Sequence, residues 1–250
     1  MSRRGAAAAL AAGGCVAGAA YWRHMSPWSE ALGPFPRRGP AVGDRPQVAL
    51  TFDDGPNEPY TSQIADVLAE ARAAATFFQV GRCVQRHPGL TAELAAAGHT
   101  IGNHSLTHTF TRGWTRAAVA AEVDAAEDLV AAELGRRPLL YRPPWLIRTR
   151  AVLDVLDARG LRPLGGEFCH PLEPMQPSAR AIARRALALA RPGSILIFHD
   201  GWDDRGGRRD RTAAAVAEVV DTLGERGVEL VTVDRLLGVP AYGDPSGRAA

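Results

Sequence analysis

Lysine is absent from this 250-residue chain: all 29 basic residues are arginine. That excludes a lysine general base or Schiff base, because a guanidinium keeps its proton. Neither sign of charge dominates, with 29 basic and 27 acidic residues. A net charge of +2 without a basic stripe argues against nucleic acid as a partner. Cysteine is rare: Cys15, Cys83 and Cys169 occur at spacings that fit neither a zinc knuckle nor a redox pair. Cys15 lies in an N-terminal leader, so only Cys83 and Cys169 could pair within a folded domain; two buried free thiols are the favoured reading. Nor does any apolar run reach the ~20 residues of a comfortable membrane span. The remaining composition, 46% hydrophobic and 22% charged, is that of an ordinary soluble domain long enough for one sizeable core.

The leader occupies residues 1–23. It opens with Arg3-Arg4, continues through the small-residue stretch Ala6 to Ala20, and contains Ala17-Gly18-Ala19, the layout of a signal peptide. Cleavage after Ala19, retention as a weak membrane anchor, and a plain Ala-rich N-terminus are the three readings. Gly13-Gly14-Cys15 is a degenerate lipid-attachment pattern, with Ala12 where a larger aliphatic is expected. Either export reading puts the protein outside the cytoplasm. Residues 24–45, rich in Pro, Gly and Arg and lacking periodicity, read as a linker. A domain over 46–237 and a flexible Gly/Pro-rich tail over 238–250 complete the chain.

Within the domain, short apolar runs alternate with helical periods. Strands are expected at 48–52, 76–80, 99–103, 139–142, 161–165, 194–199 and 229–233. Helices are expected over 60–74, 90–97, 115–134, 151–159, 179–190 and 211–226, several of them stopped by glycine. Such alternation implies parallel strands with right-handed crossovers. An open doubly wound sheet and a distorted or incomplete seven-stranded (β/α) TIM-like barrel both fit. The polar residues favour the barrel: Asp53/Asp54, His104, Arg142 and His199 each follow a different strand, and a barrel gathers those carboxyl ends around one mouth.

Those residues carry the chemistry. Asp53 and Asp54 end the run Val48–Phe52, and adjacent carboxylates persist where a cation or a proton separates their roles. His104 and His108 stand four apart and would share a face if helical. Two imidazoles and one carboxylate form a set that holds a divalent metal and leaves positions open. One aspartate would then bind metal while its neighbour moves a proton. Arg142 precedes Pro143-Pro144, which lack N–H donors, so Trp145 offers the first free amide, suited to an oxyanion. His199 ends the apolar run 195–198, where a neighbouring carboxylate would favour its charged form. His24, His87 and His99 lack partners at ligand spacing. Gly165-Gly166-Glu167-Phe168 spells part of a cyclase signature without its extra acidic residue or hairpin context.

Taken in order, these segments over residues 46–236 resemble the polysaccharide deacetylase family, carbohydrate esterase family 4. The resemblance implies Asp53 as catalytic base, Asp54, His104 and His108 as ligands of a divalent metal (Zn²⁺ foremost), and Arg142 as the group orienting the base. It also implies an oxyanion N–H from Trp145, an acetyl-methyl pocket lined by Ile197, and His199 as acid. The fourth motif departs. His170-Pro171-Leu172-Glu173-Pro174 stands where an Asp-x-x-Asp-Trp is usual, with Glu173 expected to support Arg142. The implied activity is hydrolysis of N-acetyl groups on a cell-wall or chitin-like glycan. The rivals are a different non-peptide amide, or a weak or inactive domain that binds glycan only.

Overall fold

Aliphatic, aromatic and threonine residues concentrate in the short runs that the sequence marks as strands. The computed structural model describes residues 18–41 and 45–244, and in it those runs pair side by side. The strands are β1 (Gln47–Asp53), β2 (Thr76–Gln79), β3 (Thr100–Asn103), β4 (Arg137–Pro138), β5 (Leu140–Tyr141), β6 (Arg162–Pro163), β7 (Glu167–Phe168), β8 (Ile195–His199), β9 (Glu229–Leu230) and β10 (Tyr242–Gly243). The main sheet runs β6-β5-β3-β2-β1-β8-β7, with β9 joined to β1 outside that path. Every pairing in it is parallel. Val48 through Asp53 are buried, as expected of a parallel strand covered on both faces.

The edge strands β6 and β7 are separated in sequence only by Leu164, Gly165 and Gly166. Four residue steps reach at most ~14 Å, whereas the outer strands of a flat seven-stranded sheet would lie ~29 Å apart. The sheet must therefore curl. The chain leaves β5 through the bond Leu164 N–H to Tyr141 O (2.9 Å) and reaches β8 through Cys169 N–H to Ile197 O (3.0 Å). The expected incomplete barrel is the fold observed; the open sheet is not. Helices cover the outside: the one over Arg116–Leu134 is capped by the Thr115 hydroxyl and ends at Gly135, whose φ of 66° suits glycine. Phe52 stacks on Phe77 (4.9 Å) and packs on Phe198 (5.8 Å) in the core.

Three features differ from the expectation. Residues 24–40, read as linker, form a strap packed over the seam between β6 and β7. Phe35 is 2% exposed and packs on Leu146 and Ile197. The buried Arg148 guanidinium donates to the carbonyls of Ser26 and Ser29. Gly165 N–H donates to Pro36 O (2.9 Å), and a Cβ on Gly165 would meet the Phe35 ring at 2.8 Å. Arg37 and Arg38 pair with Glu167 at 3.0 Å. The strap's partners lie far along the chain, so no local period announces them. Second, the tail is docked at its start: β10 pairs antiparallel with β4, and Tyr242 Oη accepts from Ile101 N–H (2.8 Å). Third, Gly81–Arg86 is helical without having been expected so.

Cys83 and Cys169 are free and buried. The leader's apolar stretch through Ala17, with Cys15, lies outside the described residues, as does the tail beyond 244. Among the described residues no helix is long and apolar enough to cross a membrane.

Candidate active site

Strand register brings the functional residues together. Asp53 is the partner of His199 on β8 and of Phe78 on β2, while Asn103, the residue before His104, pairs with Tyr141, the residue before Arg142. The carboxyl ends of these strands therefore open on one mouth, with neighbouring chains ~4.8 Å apart. A pocket of about 380 Å³ lies there, lined by Asp53, Asp54, His104, His108, His199 and Trp145 among others.

Three donor atoms converge. Asp54 Oδ1 lies 3.4 Å from His104 Nε2 and 3.2 Å from His108 Nε2. His104 Nδ1 is 2.6 Å from Arg142 O, which fixes the proton there and leaves the Nε2 lone pair facing Asp54. His108 Nδ1 is 2.8 Å from Asp203 Oδ1. Asp54 Oδ2 accepts from Asp203 N–H (2.9 Å), but its Oδ1 is buried without a hydrogen-bond partner. A buried, orphaned carboxylate oxygen flanked by two imidazole nitrogens fits a divalent cation. Burial alone would raise Asp54; His108, His104 and His199 reverse this and hold its carboxyl far below the usual range.

The His104–His108 segment is a loop rather than a helix. Asn103 Oδ1 accepts from Ser105 N–H (2.8 Å) and Ser105 Oγ from His108 N–H (3.0 Å), folding His108 back onto Asp54. The backbone is strained here: Asp54 (φ 75°), His108 (54°), Trp145 (57°), Leu146 (53°) and Asp203 (48°) all line the pocket with positive φ.

Asp53 stands beside this group. Its Oδ1 accepts from Arg142 Nη1 (2.7 Å), and its Oδ2 lies 4.0 Å from His104 Nε2. Arg142 is fully buried, stacked over Phe78, and also donates to Thr51 Oγ1 and Gly165 O at 2.7 Å each. The turn after it bonds through the amides of Leu146 and Ile147 to Pro143 O and Pro144 O, leaving the Trp145 N–H outside those bonds.

Two expectations are corrected. Glu173 does not support Arg142. Its Oε2 lies 2.5 Å from His199 Nδ1, and its Oε1 accepts from the Thr212 hydroxyl. The extra methylene and the short helix Glu173–Met175 aim the carboxylate at the histidine instead. Burial works against a charged His199, but Glu173, with Asp54 and Asp53, outweighs it and pushes the imidazole up to about 9. Ile197 does not line the pocket; it packs with Phe35 and Leu146, and of these three Leu146 reaches the pocket wall.

Sequence reasoning missed several residues. Arg209, buried, donates to Gly201 O (2.5 Å) and Pro174 O (2.9 Å), tying the loop after His199 to the segment after Glu173. Asp203 and Tyr21 line the pocket from segments without a motif. Asp200, by contrast, reads from the sequence as a carboxylate that could favour a charged His199; it is buried against Thr61 and pushed up to about 7 by its burial.

A family model described as polysaccharide deacetylase matches residues 41–164. A chitooligosaccharide deacetylase of Rhizobium leguminosarum bv. trifolii is 34% identical over 197 residues, 76% of this chain and 91% of that protein. A peptidoglycan-N-acetylglucosamine deacetylase of Bacillus cereus is 32% identical over 191 residues, 76% of this chain and 87% of its own length. Among solved structures, a peptidoglycan N-acetylglucosamine deacetylase in complex with a naphthyl-bearing N-hydroxybenzamide superposes with TM-score 0.75 at 25% identity, covering 82% of this chain and 94% of that one. A pseudoenzyme of Bacillus anthracis, 21% identical with TM-score 0.70 over 83% of this chain and 70% of its own, shares the fold. With relatives this similar over most of both lengths, the chain belongs to the polysaccharide deacetylase family, carbohydrate esterase family 4.

Proposed function

We propose that this protein is a metal-dependent deacetylase that removes N-acetyl groups from a cell-wall or chitin-like glycan outside the cytoplasm, releasing acetate. The observation that carries the reading is the convergence of Asp54, His104 and His108 beside an Asp53 that Arg142 holds by one oxygen only. Asp54, His104 and His108 would hold the cation, with Zn²⁺ suited to two nitrogens and one oxygen. When bound, the cation supplies Lewis-acid polarisation of an acyl oxygen and a lowered pKa for water.

The protein's own groups divide the remaining work. Asp53 Oδ2 takes the proton of the attacking water, its carboxylate oriented by Arg142. The Trp145 N–H stabilises the oxyanion that develops on the acetyl carbonyl oxygen, and Leu146 supplies apolar wall beside it. His199, kept protonated by Glu173, delivers a proton to the departing amine. A carboxylate on His199 is what an acid needs, so the altered fourth motif does not favour an inactive, binding-only domain. A signal-peptide cut after Ala19 fits export and keeps Tyr21 in the mature chain.

The test pairs two measurements on zinc-loaded protein: acetate release from acetylated oligosaccharides, and bound zinc. Wild type should release acetate; Asp53→Asn should keep zinc and lose release. Release by Asp53→Asn at the wild-type rate would overturn the assignment of the base, and none from wild type on any acetylated glycan would overturn the function.

A further inference from the structure

A line of aromatic rings leads away from the pocket. His108 lies against Trp145 (centroids 5.4 Å apart), Trp145 against Phe110 (6.4 Å), Phe110 against Trp114 (6.1 Å) and Trp114 against His24 (6.5 Å). Trp145, Phe110 and Trp114 are 48%, 42% and 52% exposed. Single exposed aromatics are ordinary, but a contiguous row of them marks a binding surface. Tyr21, 55% exposed, lines the pocket itself. Tyr21 and His24 sit three apart in the helical residues 18–25 and so share a face. The end of that helix is fixed on the barrel: His24 Nδ1 is 2.9 Å from Arg148 O, and His24 O accepts from Arg148 N–H at 2.8 Å.

We infer that this line is an extended glycan-binding track, in which Trp114 and Tyr21 hold sugar rings beyond the one that reacts. The inference rests on the deacetylase reading for the identity of the polymer. Its occupant follows from continuity, because a track that opens into the reaction pocket carries the continuation of whatever molecule fills that pocket. Flat indole and phenol faces match the apolar C–H faces of pyranose rings and present their polar edge to hydroxyls. The occupant is a neutral oligomer of N-acetylhexosamine, several rings long. The strap thus serves the substrate as well as the fold: the same arginine that closes it over the seam sets the far end of the track. A dimer would occupy the pocket alone, while a pentamer would also cover Trp114.

The test uses the full chain. Metal-free protein is titrated calorimetrically with the dimer and the pentamer of N-acetylglucosamine, and the zinc-loaded protein is assayed for acetate release from both. Wild type should bind the pentamer more tightly. Trp114→Ala should weaken the pentamer about tenfold, as loss of one aromatic anchor does, and leave the dimer unchanged. Trp114→Phe, which keeps a ring, should recover most of the loss. Should Trp114→Ala fail to fold, Phe110→Ala, the next ring of the row and outside the pocket lining, should weaken the pentamer and leave the dimer unchanged. Equal weakening of both oligomers, or none, overturns the track. A wild type that favours the pentamer yet releases no acetate would sink the deacetylase reading and leave the track standing; release from both with equal affinity would sink the track alone.

Discussion

In the half of the site that faces the cation, the loop that carries His104 and His108 is folded by neighbours a few positions away: Asn103 accepts from Ser105, and Ser105 from His108. In the half that holds the proton donor, His199 leans on Glu173, 26 positions distant, which leans in turn on Thr212, 39 positions further on. Arg209 then bridges both loops. The histidine loop is a local construction whose residue types and spacing are tightly coupled, docked through its rings on the Arg142 carbonyl and Asp203. The second half is assembled from separate segments, so a glutamate can serve where an aspartate is usual once a threonine and an arginine reposition it. The cation-facing half should therefore fail as a unit, and the donor half by degrees.

The largest effect sharpens that contrast. His104→Ala should empty the cation site and take acetate release below detection, read as bound zinc and rate together; full zinc occupancy would break the comparison. Asp53→Asn should lower the rate by ~10²–10⁴ with zinc retained, the range for losing a positioned base. Away from both halves, Phe35→Ala should cost ~3–5 kcal/mol for the emptied space. That lowers Tm by roughly 6–20 °C in a chain of this size.

Glu173→Gln should reduce the rate by only about 10–100-fold, as loss of an outer carboxylate on a histidine does. Its pH signature is directional. Because Glu173 favours the imidazolium, His199 in metal-free protein should titrate near 9 by NMR, be charged below that and lose its proton as pH rises through it. Removing the carboxylate should move that loss to lower pH; an unmoved titration would mean that Glu173 does not tune the donor. Smallest of all, Trp145→Ala should raise KM about tenfold with kcat nearly unchanged, since the ring is lost while the amide stays.

How much was legible follows the same division. Strand ends were readable because apolar runs stop abruptly at Asp53, Asn103 and His199, and the barrel followed from four polar residues at four such ends. That one aspartate of the pair would join both histidines was readable from residue type; that it would be Asp54 came from the family resemblance. The loop geometry was not, because positive φ at Ser105 and His108 has no glycine to announce it. Glu173 was found as a residue but matched to the wrong partner: sequence gives a carboxylate, not the direction in which a short helix turns it. The strap was misread because Phe35, Arg148 and Gly165 meet only in three dimensions, and Pro/Gly-rich stretches look alike whether docked or free.

The matched family region opens at residue 41, just after the strap. A fragment trimmed to that boundary would leave an empty socket against Ile197 and Leu146, together with the Gly165 amide and the Glu167 carboxylate stripped of their counterparts. Water would then reach the back of the wall that His199 emerges from. Anyone shortening this protein for expression should therefore keep the piece that homology alone would discard.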